Sequence, residues 1–218
     1  MALPSSSLAS WLGRGLRSGI GIAGFDYGGL LVDGGPSSDG RPAPLLSRVA
    51  LPAMWRVLLV LDHRLRGMSG QAERGAIAAL PPLGRDVAAD LCHQVLMRVL
   101  PGAASGDFAA FAEGVTVLQQ RLGAHFAPAQ EGRAFASADV GRAIEALGRL
   151  AGGAAGAAVG QSSWGPTGFA ILPSQERADE LIEALRTRQL LHPALELRVV
   201  RARDHGAELF SLAVDDPA

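Results

Sequence analysis

The stretch Gly160-Gln161-Ser162-Ser163-Trp164-Gly165-Pro166-Thr167-Gly168-Phe169-Ala170-Ile171-Leu172 joins a hydroxyl-rich glycine turn directly to an apolar run. Phe169 to Leu172 is short, apolar and bounded by turn residues, which predicts a buried strand. The glycines before it let backbone amides approach a ligand closely, and Ser162, Ser163 and Thr167 set hydroxyls beside those amides. A turn of this kind at a strand end suits a phosphate site in a mixed α/β fold. Gly-Pro dipeptides also mark ordinary tight turns, and the stretch by itself fits that reading too.

Downstream, Ser174 is placed to cap a helix running through Leu181 and Leu185 to about Arg188. Leu195 to Val200 and Glu208 to Val214 then read as two strands joined at Asp204-His205-Gly206. Upstream, Gly152 to Ala158 is a low-complexity glycine-alanine run that predicts a helix end and a close-packed strand. Trp55-Arg56-Val57-Leu58-Leu59-Val60-Leu61 is nearly all apolar, as a central strand covered on both faces would be. Between them lie three helical stripes: Val87, Leu91, Val95 and Val99 after Asp86; Phe108, Phe111, Val115 and Leu118 after Asp107; Ile144 and Leu147 after Asp139. The order predicts an α+β sandwich with helices over a mostly antiparallel sheet and a long helical insertion. At the start, Leu8 to Leu12 reads as a helix end, and Gly13 to Gly35 as a glycine-punctuated segment with one short strand at Gly29 to Val32. Pro36 to Pro44 is a Pro/Gly/Ser/Asp linker, which sets a domain boundary near residue 45.

Composition bounds the function. The 218 residues are 48% hydrophobic and 19% charged with a net charge of −1, so no basic field points to nucleic acid, and a small-molecule ligand is favoured. All 20 basic residues are Arg, which excludes lysine Schiff-base chemistry and leaves Arg, amides and hydroxyls to hold anions. Cys92 is the single cysteine, so a disulfide-dependent compartment is not required and a cytoplasmic location is the default expectation. His93 and Cys92 lack partners at ligand spacing and read as packing or solvent residues. No run of 18 apolar residues predicts a membrane span, and no basic leader precedes an apolar run.

A second glycine segment, Gly13 to Leu30, carries Arg14 and Arg17, each able to pair with phosphate oxygens or to stay solvated, beside the turn Ser18-Gly19-Ile20-Gly21. Together the two segments resemble the GHMP kinase superfamily, in which a Ser-Gly-Ile-Asp turn precedes a Gly-Gly strand and a glycine-rich motif ends in an apolar strand. The stretches Arg17 to Ile22, Val32-Asp33-Gly34-Gly35 and Gly160 to Gly168 are most similar to one branch, the β-ribofuranosylaminobenzene 5'-phosphate synthases of tetrahydromethanopterin biosynthesis.

The resemblance implies a GHMP-type, ferredoxin-like C-terminal α/β sandwich with a helical insertion over residues 46–218, and a remnant of the N-terminal domain over residues 1–45. It implies transfer of a phosphoribosyl group from phosphoribosyl pyrophosphate to a 4-substituted benzoate with loss of pyrophosphate and CO₂, Mg²⁺ at the diphosphate, and a homodimer. Phosphate and substrate contacts are expected from Arg17, Ser18, Gly19, Gly21, Gln161, Ser162, Ser163, Gly165 and Thr167, with Trp164 either stacking on the aromatic acid or plugging the loop. Two departures bear on this. The aspartate that acts as base in the superfamily's kinases is here Gly21, which carries no acid; Asp26 is the alternative base, and Asp26 or Asp33 the candidate metal ligands. The family's chains also begin with a half bearing a Pro-x-x-x-Gly-Leu-Gly-Ser loop, which nothing before Ser10 matches, so that half is expected to be missing. The alternatives are an ATP-binding GHMP small-molecule kinase and a non-catalytic truncated homologue.

Overall fold

The computed structural model describes residues 5–15, 18–35, 41–208 and 210. The chain divides into two compact units, residues 1–51 with 203–218, and residues 52–202.

In the first unit, helices α1 (Ser5–Trp11) and α2 (Ile20–Tyr27) precede a hairpin of β1 (Leu30–Asp33) and β2 (Leu45–Val49), antiparallel with Leu30 opposite Val49. The unit thus runs on past residue 45 through β2. Helix α2 is absent from the sequence reading because Gly21 and Gly24 give it a poor intrinsic propensity; it forms with Ala23 buried beneath it. The end of the chain returns here: the Gly29 amide donates to the Arg203 carbonyl at 2.7 Å, and the Ala207 amide to Phe25 at 2.7 Å. Gly28, at φ +64°, permits that return, since a Cβ there would come within 2.5 Å of the His205 carbonyl oxygen. Of the strand expected at 208–214, Glu208 and Phe210 lie in no strand, and the rest falls outside the described residues.

The second unit is built on a fully antiparallel sheet in the order β4-β5-β3-β6, with β3 at Arg56–Asp62, β4 at Ala158–Gln161, β5 at Gly168–Leu172 and β6 at Leu195–Val200. Burial alternates strictly along β3, as the period of two requires. Leu58 and Val60 of β3 and Ala170 and Leu172 of β5 form one core with α7 (Ala138–Leu150) and α8 (Gln175–Thr187), through Val140, Ile144, Leu147, Leu181 and Leu185. Ser174 caps α8 as expected, accepting from the Arg177 amide at 3.2 Å. For α7 the cap is Ser137, two residues ahead of the expected Asp139.

Between β3 and α7 lies the helical insertion: α3 (Gly70–Ala79), α4 (Arg85–Gln94), a π-turn at Val95–Val99, α5 (Leu100–Ser105) and α6 (Phe108–Phe126). The expected stripe Val87-Leu91-Val95-Val99 is buried only at Val99. The π-turn shifts its register just before Pro101, which has no N–H to continue the ladder.

Strand β4 is an edge of this sheet, and an edge leaves backbone groups unpaired. Helix α6 closes it with side chains three residues apart. Thr116 donates its hydroxyl to the Ala157 carbonyl and accepts from the Val159 amide, both at 3.3 Å; Gln119 Oε1 accepts from the Gln161 amide at 3.0 Å. Position 160 must be glycine for this approach, since a Cβ would stand 2.3 Å from the Gln119 Cγ. At the far end of β3, the buried Asp62 carboxylate accepts from Arg64 Nε at 2.8 Å and from the Ser137 hydroxyl at 2.7 Å, tying the strand to the start of α7. The Arg64 guanidinium first, then Ser137 and the Arg64 amide, hold that carboxyl well below the usual range against the opposing effect of burial.

Two stability changes follow. Thr116→Val keeps the shape but strands the Val159 amide, and lowers the unfolding free energy by about 1–2 kcal/mol in denaturant titration. Asp62→Ala leaves Ser137 and Arg64 without their acceptor and costs roughly 3 kcal/mol. Because the folded pKa of Asp62 is depressed, its contribution is complete above about pH 4 and is lost as pH falls through the lowered folded value. In Asp62→Ala that part of the acid sensitivity disappears.

Candidate functional site

The opening stretch is a tight reversal between β4 and β5. The Ser162 amide donates to the Thr167 carbonyl and the Gly165 amide to the Ser162 carbonyl, both at 2.9 Å. Ser163 at φ +50° and Gly165 at φ +66° occupy the left-handed region that the reversal demands. The amides of Ser162 and Gly165 are therefore spent on the turn itself, whereas the hydroxyls of Ser162, Ser163 and Thr167 have no hydrogen-bond partner among the described residues. What the loop offers a ligand is these hydroxyls and the amides of Ser163, Trp164 and Thr167, which donate to nothing among the described residues.

Gln161 sits behind the turn as its anchor. Its Oε1 accepts from the Ala136 amide at 2.7 Å, and its Nε2 donates to Gln130 Oε1 at 2.9 Å and to the Ser163 carbonyl at 3.0 Å. A buried amide with all these groups paired fixes one geometry of the loop. Trp164 is also buried, at 8% exposure; its indole N–H donates to Glu73 Oε1 of α3 at 3.0 Å and its ring meets Phe126 edge-on at 4.9 Å between centroids. It is a wall beneath the loop.

That wall faces a cavity of about 610 Å³ lined from α6, α7, β4 and the turn, with Gln161, Ser163 and Trp164 among its lining residues. Ser162, Gly165 and Thr167 are not among them. The remaining lining includes Phe126 and Phe135, the amides of Gln119 and Gln130, and Glu145 and Arg149 of α7. The sequence reading took α6 and α7 as core stripes and missed these. The available signal was the Gln119-Gln120 pair, amides on a helix with an otherwise apolar inner face.

The other glycine segment lies in the first unit, and Arg17 falls outside the described residues. The turn around Ser18 does hold an anion: the carboxylate of Asp33. Its Oδ2 accepts from the Ser18 hydroxyl at 2.6 Å and the Gly19 amide at 2.7 Å, and its Oδ1 accepts from the Gly35 amide at 3.0 Å. Partial burial pushes the Asp33 carboxyl up, but the Ser18 hydroxyl and the amides of Gly35, Gly19 and Ile20 prevail and lower it. Ser18 and Gly19 thus spend their donors within the protein, and Asp33 is a clamp on the turn rather than an open metal ligand. Among the described residues no group of three or more His, Cys, Asp or Glu is placed to hold a metal. Gly21 lies on the exposed side of α2, where a Cβ would meet nothing within 4 Å. Asp26, five residues on, is turned about 140° around the helix from it.

With this geometry, comparison with known proteins defines the class. A family model for the C-terminal domain of GHMP kinases matches residues 99–190. Mevalonate diphosphate decarboxylase from Staphylococcus aureus has the same fold, at a TM-score of 0.63 over 96% of this chain and 61% of that one with 15% identity. Homoserine kinase from Cytophaga hutchinsonii aligns at a TM-score of 0.52 over 85% of this chain and 52% of that one, at 19% identity. Residues 99–190 thus match the C-terminal domain of the GHMP kinase superfamily, and the fold of the second unit agrees with it.

Within it, the named relatives are synthases. The chain is 33% identical to β-ribofuranosylphenol 5'-phosphate synthase of Archaeoglobus fulgidus, across 95% of this chain and 64% of that protein. It is 31% identical to the protein of the same name from Methanothermobacter thermautotrophicus, across 78% and 53%. The chain therefore spans between about half and two thirds of the length of these relatives. No helix among the described residues is long and apolar enough to cross a membrane.

The Asp33 clamp predicts a local outcome. In Asp33→Ala the Gly19 and Gly35 amides lose their acceptor and exchange with solvent faster at every pH. In the parent chain their protection holds at and above about pH 4 and falls as the lowered folded pKa of Asp33 is passed. Residue-resolved hydrogen exchange reads both.

Proposed function

We propose that the chain takes part in phosphoribosyl transfer, joining the anomeric carbon of phosphoribosyl pyrophosphate to a 4-substituted benzoate with release of pyrophosphate and CO₂. The observation that carries the reading is the Ser162–Thr167 turn, with unpartnered hydroxyls beside an aromatic-walled cavity, in a chain whose relatives are named for a ribofuranosyl phosphate product. That name specifies a phenol, which favours a 4-hydroxybenzoate as acceptor over its amino analogue. The new carbon–carbon bond forms at the ring carbon that bears the carboxylate; pyrophosphate leaves with the electron pair of the anomeric C–O bond. The carboxylate then departs as CO₂, and its bonding pair restores the aromatic ring.

As pyrophosphate leaves, negative charge grows on it, and fixed donors lower that barrier. The hydroxyls of Ser162, Ser163 and Thr167 serve here. Ser18 and Gly19, held by Asp33, shape their turn. Mg²⁺ belongs to the proposal as an ion carried by the diphosphate oxygens, a mode that needs few protein ligands. The assignment of residues 1–45 to the family's N-terminal domain, with the unit now extended through β2, the homodimer, the cytoplasmic location and the place in tetrahydromethanopterin biosynthesis belong to the same proposal.

The kinase alternative draws on the fold neighbours, and fold does not fix function. Gly21 opposes it, because no carboxylate at that position can take the proton of an attacking hydroxyl.

The test mixes the chain with phosphoribosyl pyrophosphate, 4-hydroxybenzoate and Mg²⁺. Pyrophosphate and CO₂ release in equal amounts is expected, and no ADP from ATP with candidate alcohols. The Ser162→Ala/Ser163→Ala double variant should bind phosphoribosyl pyrophosphate about tenfold more weakly. Unchanged affinity in that variant, or ATP turnover without pyrophosphate release, would overturn the proposal.

A further inference from the structure

The cavity has properties that a phosphate site does not use. Its walls bring together Phe126, Phe135 and Trp164 with Leu122, Ile144 and Val159, a surface suited to a flat apolar ring. Polar groups interrupt it, among them Gln120, Gln130, which accepts from Gln161, and Ser163 of the turn, and their states differ. Gln161 and Thr116 are already bonded to the backbone around β4. Gln119 has committed its oxygen to the Gln161 amide, so its NH₂ is what it can still offer. Arg149 lies in the last turn of α7, and its guanidinium has no hydrogen bond or ion pair among the described residues. Glu145, one turn earlier, also lines the cavity and is likewise unpaired.

These charges select a ligand class. A phosphate or diphosphate beside Arg149 would face the Glu145 carboxylate with two or more negative charges. A single carboxylate meets the guanidinium with a matching charge and a planar fork geometry. The volume of about 610 Å³ accommodates a substituted benzene ring with space to spare.

We propose that this cavity is the pocket for the aromatic acid. The ring lies among Phe126, Phe135 and Trp164, the carboxylate pairs with Arg149, and a polar 4-substituent accepts from an amide such as Gln119. This rests on the transferase reading and adds to it a place for the acceptor inside the second unit, next to the turn whose hydroxyls serve the diphosphate, with Ser163 at the boundary of the two.

The experiment is calorimetric titration of the full chain with 4-hydroxybenzoate and, separately, with phenol and with phosphoribosyl pyrophosphate. Two variants address the pocket. Arg149→Gln removes the cation from an exposed position. Gly148→Leu fills the cavity from α7, at a glycine where an added Cβ meets nothing nearer than the Val159 Cγ2 at 3.8 Å. The expected results are binding of 4-hydroxybenzoate by the parent chain, about tenfold weaker binding in Arg149→Gln with phenol unaffected, and loss of both in Gly148→Leu at an unchanged melting temperature. Full-affinity binding of 4-hydroxybenzoate in both variants overturns the pocket assignment, as does failure of the parent chain to bind it. If phosphoribosyl pyrophosphate still binds in that last case, the transferase reading survives and the pocket alone is wrong; if neither ligand binds, both fall.

Discussion

The capped edge of β4 is the constraint on which the second unit depends. An edge strand next to a ligand loop is exposed to slippage and to pairing with foreign strands. Here its outward amides are taken by Thr116 and Gln119, three residues apart on one face of α6, so that two side chains of that face match alternate amides of the strand. That match fixes α6 against the sheet and forces glycine at position 160. It also holds Gln161 where its side chain can reach residues 130, 136 and 163 at once. The cavity exists because α6 bonds to the strand edge instead of packing apolar side chains flat against it.

Both glycine segments spend much of their hydrogen-bonding capacity internally. In the turn after β4, two amides close the reversal, and Gln161 braces it from behind. Around Ser18, the donors converge on Asp33, a carboxylate supplied from the hairpin of the same unit. Glycine makes these conformations accessible without strain, but which donors stay open for a ligand depends on what else the fold brings near. In the first case the hydroxyls are left over. In the second, an internal anion already occupies the donors.

The legible part of the sequence was the part governed by local periodicity and capping. The existence of β3, the Ser174 cap and the strand at Phe169 to Leu172 depend on near neighbours and were read within a residue or two, although β3 alternates in burial where a strand covered on both faces was expected. Helix α2 was not legible, because Gly21 and Gly24 argue against a helix and the burial of Ala23 that favours it is a tertiary fact. The register shift at Val95–Val99 was hidden for the same reason: Pro101 signals a break, but not that a π-turn absorbs it. The site divided likewise. The Ser-Ser-Trp-Gly stretch announces a loop of consequence, whereas Gln119, Gln130 and Arg149 are distant in sequence and become part of it only through the pairing of α6 with β4. For Trp164 the sequence left stacking and plugging open; its burial and its bond to Glu73 make it a wall, and the cavity on its far side lets that wall serve a ligand.

Gly21 and Asp33 together weigh on which chemistry the superfamily fold performs here. Phosphoryl transfer to an alcohol requires a group to accept a proton, and α2 presents none at position 21, although open space there would admit an acidic side chain without displacing a neighbour. The absence of a carboxylate at position 21 is therefore not a matter of steric exclusion. Displacement of pyrophosphate by a ring carbon fits that absence: the nucleophile is the π-system, and the group lost from the ring is CO₂ rather than a proton, so no base need stand beside the attacking atom. The site then has to hold negative charge as it develops and keep a ring in place. The hydroxyls of the Ser162–Thr167 turn and the aromatic cavity beside it are suited to those two tasks, and neither depends on an acid at position 21.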